Sequence, residues 1–203
     1  MAAVSDSVLL EMRSISKGFP GVQALDGVDF SLRSGEVHAL MGENGAGKST
    51  LIKVLTGVYP RDAGTVCLDG CAIRPRSPMQ AEAVGISTVY QEVNLIPHLS
   101  VAENICLGRQ PTTLGTIRWS AMARRAEAAM ARLGLSVNVK RPVSGYSIAI
   151  QQMVSIARAL DISARVLILD EPTSSLDAGE VEQLFGLMRR LREQGLGIVF
   201  ITH

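Results

Sequence analysis

The stretch Gly42-Glu43-Asn44-Gly45-Ala46-Gly47-Lys48-Ser49-Thr50 decides how the rest of the chain is read. Gly42 to Ser49 fills the pattern G-x-x-x-x-G-K-[ST]. Glycines in that pattern let the backbone fold round an anion, so that successive N–H groups and a helix N-terminus converge on it. Both flanks agree. Val37 to Met41 is a short apolar run of the kind a buried parallel strand needs, and Leu51 to Thr56 reads as helix, stopped at Gly57. Lys48 offers a mobile cation to phosphate oxygens, and Ser49 offers a hydroxyl to a divalent cation. A chance glycine-rich turn would not need a strand before it and a helix behind it.

The second half of the chain supplies the complement. Val166-Leu167-Ile168-Leu169-Asp170-Glu171 is an unbroken apolar strand ending in two carboxylates. On a parallel sheet such residues emerge at the carboxyl edge, which is also where the glycine-rich loop lies. There Asp170 is placed to hold Mg²⁺ through water, and Glu171 to polarise an attacking water. A strand ending in two acids is commonplace by itself; beside the loop it becomes chemistry. Asp177 and Glu180 then form a capping pair for a helix whose apolar face is Val181, Leu184, Phe185, Met188 and Leu191. Gly195 ends that helix, and Ile198 to Ile201 is the final strand.

Outward from these segments the pattern is mixed. Val8 to Met12 and Val28 to Leu32 read as β segments. Val66 to Leu68 with Cys71 to Arg74 reads as a hairpin around Asp69-Gly70, and Ile86 to Tyr90 as another strand. After Gln91 the character changes. Ser100 caps a short helix through Leu107, and Arg109 to Ile117 has no periodicity. Ser120 caps a helix with Ala123, Ala126, Met130 and Leu133 on one face and Gly134 as its stop. Residues 93–143 therefore read as a small helical insertion between β-rich parts. Gln151 to Leu160 is helical. Alternating strands and helices imply right-handed parallel crossovers.

Bulk properties restrict the function classes. A chain of 203 residues, at ~100–200 residues per domain, is one domain with room for an insertion. Twenty Lys and Arg against 19 Asp and Glu leave no charge imbalance to drive binding to nucleic acid or anionic lipid. Aromatics at only 4% fit a Val/Ile/Leu/Ala-packed α/β core rather than a β-sandwich. No apolar stretch reaches the ~18 residues a membrane span needs, and Met1 to Glu11 lacks the basic start and apolar run of a secretory leader. Cys67, Cys71 and Cys106 are too sparse for a disulfide framework or a zinc site and read as ordinary reduced side chains.

The motifs together resemble those of ATP-binding-cassette transporter ATPases. Pro172-Thr173-Ser174-Ser175-Leu176-Asp177 comes after Glu171, Ile201-Thr202-His203 closes the last strand, and Gln91 sits in Val89-Tyr90-Gln91-Glu92. The resemblance runs over essentially the whole chain. It implies a P-loop NTPase fold: a mostly parallel sheet with flanking helices, an N-terminal antiparallel β subdomain and the inserted helical subdomain. It also implies ATP and Mg²⁺ as cofactors. ATP would lie on Gly42, Glu43, Asn44, Gly45, Ala46, Gly47, Lys48, Ser49 and Thr50. Phe19, in Lys17-Gly18-Phe19-Pro20-Gly21-Val22, matches the aromatic that stacks on adenine. Gln91 matches the glutamine that reaches Mg²⁺, together with Ser49 and Asp170. Asp177 matches the carboxylate that crosses to the partner cassette. His203 matches the histidine contacting the γ-phosphate, which with Glu171 and Lys48 makes the expected catalytic set.

A finer resemblance lies in Phe19 to Leu25, Met41-Gly42-Glu43-Asn44, Leu55-Thr56-Gly57-Val58-Tyr59, and Asn94-Leu95-Ile96-Pro97 through Glu103-Asn104-Ile105 to Leu107-Gly108-Arg109. These are similar to bacterial monosaccharide importers of the ribose, galactose and xylose kind. That group implies a second cassette on the same polypeptide, permease subunits, and indirectly a periplasmic sugar-binding protein, with no nucleic-acid partner. It places the chain peripherally on the cytoplasmic face of the inner membrane. The family's Leu-Ser-Gly-Gly-Gln signature stands here as Tyr146-Ser147-Ile148-Ala149-Ile150; Ser147 is kept at a helix start, while Ile148 and Ala149 replace glycines that allow close backbone approach. In this family the signature serves the nucleotide held by the partner cassette. The expectation is therefore one competent site built on Lys48, Asp170, Glu171 and His203. Because the family continues past its histidine, this chain reads as a cassette cut at His203. The alternatives are a nucleotide-binding module that hydrolyses poorly, and an ABC ATPase outside transport.

Overall fold

The parallel register explains why the glycine-rich loop and the two carboxylates meet. A computed structural model describes residues 7–43, 45–90 and 94–202. In chain order, the elements begin with strands β1 (Val8–Phe19), β2 (Val22–Arg33) and β3 (Val37–Met41), then helix α1 (Lys48–Leu55). Next come β4 (Ala63–Leu68), β5 (Cys71–Ala72), α2 (Pro78–Ala83), β6 (Ile86–Val89), α3 (Val101–Ile105), β7 (Thr112–Thr113), β8 (Thr116–Ile117) and α4 (Trp119–Arg132). The chain continues through α5 (Ile148–Leu160), β9 (Val166–Asp170), α6 (Ala178–Glu193) and β10 (Gly197–Thr202). One sheet has the order β3-β10-β9-β6 and the other the order β2-β1-β4-β5. β10 runs parallel to both β3 and β9, pairing Thr202 with Met41 and Ile201 with Asp170. Met41 and Asp170 thus end their strands at the same carboxyl edge, and the glycine-rich loop and Glu171 leave the sheet there on either side of β10.

The chain divides into two compact units. The first takes the described chain up to Thr88, Ala164–Glu171 and the described chain from Met188; the second takes Val89–Ser163 and Pro172–Leu187. In the first unit, Leu10, Met12, Ile15 and Leu32 of the β1–β2 hairpin share one core with Leu51 and Leu55 of α1 and with Ile168, Val199 and Ile201 of the parallel strands. Burying each such side chain stabilises the fold by ~1.5–3 kcal/mol. The helix behind the loop and the strands before it are therefore held by the same apolar contacts. Cys67, Cys71 and Cys106 carry no disulfide.

Several elements differ from the sequence reading for local reasons. β1 and β2 run to Phe19 and from Val22, well beyond Val8–Met12 and Val28–Leu32, and pair antiparallel across Pro20-Gly21. Their register shifts repeatedly, and Ser14 sits at φ 49°, so bulges break the alternation that would advertise a strand. The helix expected from Ser120 begins at Trp119, and its N-cap is Arg118, with no side-chain cap. Arg109 to Ile117, expected to be irregular, contains β7 and β8, closed by Leu114 (φ 51°) and Gly115 (φ 79°). Two positive φ values in a row make the tight hairpin turn. Arg118 then donates its backbone N–H to Pro111 O at 2.8 Å, and the hairpin rather than Ser120 sets where α4 starts. α2 has no counterpart in the sequence reading, although Ser77 accepts from Gln80 N at 3.3 Å and Pro78 occupies a first-turn position.

The second unit is built on α3, α4 and α5, with Val101, Ile105, Met122, Ala126, Met130, Val154 and Ala157 buried among them. The Asp161 carboxylate accepts from Arg125 Nε at 2.9 Å and thereby ties α4 to the end of α5. Asn104 is fully buried. Its Oδ1 accepts from Ile96 N at 2.8 Å, while Nδ2 donates to Ile96 O, Leu99 O and Ser100 O at 3.1–3.2 Å. One amide thus satisfies backbone groups along the 96–100 loop. Asn104→Leu strands those groups without partners and is expected to lower stability by about 1–3 kcal/mol, read as a fall in the urea midpoint at constant m-value.

Candidate functional site

The loop between β3 and α1 is shaped by a residue with no side chain. Gly47 is the N-cap of α1 in the left-handed region at φ 85°. A Cβ there would lie 2.8 Å from Ala24 O and 3.0 Å from Leu25 Cδ2. Both conformation and space demand glycine. Gly47→Ala is expected to destabilise the chain by at least ~1 kcal/mol, seen in thermal melts, and to abolish anion binding at this loop.

α1 then presents its first turn uncapped. Its N-cap supplies no side-chain hydrogen bond to the N-terminal N–H groups, and no acidic residue lies in its first turn. Those N–H groups and the helix dipole form a positive concavity. Lys48 completes it: Nζ donates to Gly42 O and, at 3.0 Å, to Glu43 O, so the cation is folded back over its own loop. Ser49 lies in the same turn.

A cavity of about 210 Å³ lies over this loop, lined by Glu43, by the residues from Gly45 to Thr50, by Asp170 and Glu171, and by Gln23 and Ala24 of β2. The expected pairing of loop and carboxylates is therefore made within one unit. Glu171 adopts φ 47°, uncommon for a residue with a side chain, and its N–H donates to Ile201 O at 3.1 Å. The bend turns the chain out of β9 just past Asp170. The donor set fits a small hard cation. The hydroxyl of Ser49 and the carboxylate of Asp170 line one cavity, and among the described residues no group of three His, Cys, Asp or Glu forms a protein-only metal cage.

Other expected residues stand elsewhere. Phe19 closes the β1–β2 hairpin, is partly exposed, and packs edge-on against Tyr59 with ring centroids 5.2 Å apart. It does not line the cavity over the loop. Its backbone is anchored next door: Asp62 accepts from Gly18 N at 2.7 Å and from Lys17 Nζ at 2.8 Å, and these bonds hold its carboxyl below the usual range. Ser147 is the N-cap of α5 and accepts from Ile150 N at 3.4 Å, with Ile148 exposed beside it. Tyr146 is tied down by its Oη, which donates to Asn138 O at 2.9 Å. Asp177 caps α6, accepting from Glu180 N at 2.8 Å while its own N–H donates to Glu180 at 3.1 Å. Capping alone accounts locally for both Ser147 and Asp177. Asn44, Gln91 and His203 lie outside the described residues. Gln23 and Ala24 line the cavity without any site role legible in the sequence, since neither belongs to a motif that carries chemistry.

Known proteins place this arrangement. The chain is 57% identical over 195 residues to the galactofuranose transporter ATP-binding protein YtfR of Escherichia coli K12, covering 96% of this chain and 39% of that protein. It is 56% identical to the ribose import ATP-binding protein RbsA 1 of Rubrobacter xylanophilus, with the same coverage. It is 53% identical to the fructose import ATP-binding protein FruK of Bifidobacterium longum, covering 96% and 38%. The chain thus spans about two fifths of the length of these relatives. Among solved structures, an ATP-binding cassette of an ABC transporter in its ADP conformation superposes with a TM-score of 0.84 at 27% identity, covering 97% of this chain and 82% of that one. A dimeric cassette in a post-hydrolysis state, bound to ADP and Pi, gives 0.78 at 26% identity, covering 96% and 88%. The fold is that of a P-loop ATP-binding cassette. Residues 25–174 match the family described as ABC transporter, and the chain belongs to that family.

Proposed function

We propose that this chain is a nucleotide-binding cassette that binds ATP with Mg²⁺ on the Gly42–Thr50 loop and hydrolyses it to drive import of a monosaccharide. The observation that carries the reading is the single cavity in which the uncapped start of α1 and Lys48 face Asp170 and Glu171. Backbone N–H groups of the loop hold phosphate oxygens, and Lys48 exchanges Gly42 O and Glu43 O for them. Ser49 and Asp170 would hold Mg²⁺, which when bound offsets phosphate charge. Glu171 orients water toward the terminal phosphate and accepts its proton. Gln91 and His203 are assigned to the same site by motif, and Ser147 and Asp177 to contact with a second cassette.

The sugar class is supported by the names of the relatives, which import galactofuranose, ribose and fructose. A second cassette on the same polypeptide and membrane permease subunits complete the assembly, which places the chain at the inner face of the cell membrane. No helix among the described residues is long and apolar enough to cross a membrane, so attachment through a permease supplies that location. The test is reconstitution of the full-length polypeptide with its permease in proteoliposomes. ATP-dependent uptake of a radiolabelled pentose or hexose is expected. ATP turnover coupled to a non-sugar solute, or no turnover under any solute, contradicts the reading.

A further inference from the structure

A second cleft in the first unit, of about 410 Å³, is lined by Val54, Gly57, Tyr59, Arg61, Pro75 and the flanking Arg74 and Arg76, and among the described residues no carboxylate lines it. It is rigidly built. Gly57, at φ 73°, approaches the opposite wall so closely that a Cβ there would lie 2.6 Å from Pro75 O. The half-buried Arg61 donates from Nε to Gly64 O at 3.0 Å and from Nη2 to Ile73 O at 3.3 Å, which fixes its guanidinium plane and leaves other N–H groups for a ligand. Among the described residues no carboxylate pairs with Arg61, Arg74 or Arg76. The positive charges are uncompensated: burial first, and then Arg74's charge, hold the Arg61 guanidinium below its ordinary proton affinity. An anion in the cleft relieves that repulsion.

We propose that this cleft binds a soluble phosphate monoester, with its phosphate on Arg61, Arg74 and Arg76 and its organic part against Val54, Tyr59 and Pro75. Guanidinium forks match phosphate oxygens bidentately, and a concave site with an apolar floor and a few convergent polar groups is how small ligands are held. A flat basic patch would serve a membrane instead; here the arginines border a concavity whose other walls are apolar. Tyr59 also carries the edge contact to Phe19, so a bound ester would touch the side chain on which the hairpin end rests.

The test uses the Lys48→Ala chain, which removes the cation of the loop site, titrated with glucose 6-phosphate and followed by backbone amide NMR. Saturable shifts at residues 57–61 and 74–76 are expected, with glucose at least 10-fold weaker. Arg74→Glu with Arg76→Glu is expected to weaken the ester at least 10-fold. Arg74→Gln with Arg76→Gln replaces the pair where charge reversal lowers the melting temperature. Shifts confined to residues 42–50, or binding indifferent to these variants, overturn the proposal. So does sedimentation with phosphatidylcholine vesicles containing phosphatidic acid when glucose 6-phosphate gives no shifts, because that assigns the arginines to a membrane surface.

Discussion

Lys48→Ala is expected to weaken MgATP binding by at least 100-fold in isothermal titration, while leaving the melting temperature of the nucleotide-free chain nearly unchanged. Lys48 is the only basic residue among the described residues that line the loop cavity, so its loss leaves backbone N–H groups, hydroxyls and the bound Mg²⁺ to hold the phosphates there. Charge-assisted hydrogen bonds are each worth about 1.5–3 kcal/mol, and 1.4 kcal/mol is tenfold in affinity. Two such bonds to phosphate oxygens account for the expected loss. Stability is spared because the present partners of Nζ, the carbonyls of Gly42 and Glu43, belong to residues that are partly or largely exposed, so water replaces the ammonium there. An affinity that falls only a few-fold would mean that the phosphates lie elsewhere.

Glu171→Gln is expected to separate binding from chemistry. The amide keeps the size of the side chain and adds no further strain to a backbone already at φ 47°, so the bend after β9 and the bond from its N–H to Ile201 O persist. The change removes a group that accepts a proton. General-base catalysis contributes typically 10²–10⁴-fold, and the single-turnover rate of ATP hydrolysis in the assembled transporter should fall by about that factor with MgATP affinity retained. Equal losses of affinity and rate would instead make Glu171 a structural residue of the loop. The positive φ at this acid, beside the phosphate loop, departs from local backbone preference at a residue for which the catalytic role is proposed.

The parts of the fold legible in the sequence are those in which the hydrophobic pattern and the tertiary role coincide. β9 is apolar at four consecutive positions because it is covered on both faces, and β3 leads straight into a glycine loop that no ordinary turn explains. The site inherits that clarity, since Lys48, Asp170 and Glu171 are all placed by strand ends in one parallel register. Where the reading failed, a nonlocal partner decided. β1 and β2 stay paired through bulges whose polar residues look like loop, and α4 begins where the β7–β8 hairpin releases the chain rather than at the nearest capping serine. α2 spans only Pro78–Ala83, too short for a helical period to register. The contact between Phe19 and Tyr59 joins segments on either side of α1, and no local pattern announces it.

Amide hydrogen exchange of this chain with and without MgATP tests the central claim most directly, namely that the phosphates rest on the uncapped first turn of α1. Slowed exchange across residues 45–51 is predicted, together with its disappearance in Lys48→Ala and its persistence in Glu171→Gln. Unchanged exchange across 45–51, with protection appearing in another segment, would contradict the account.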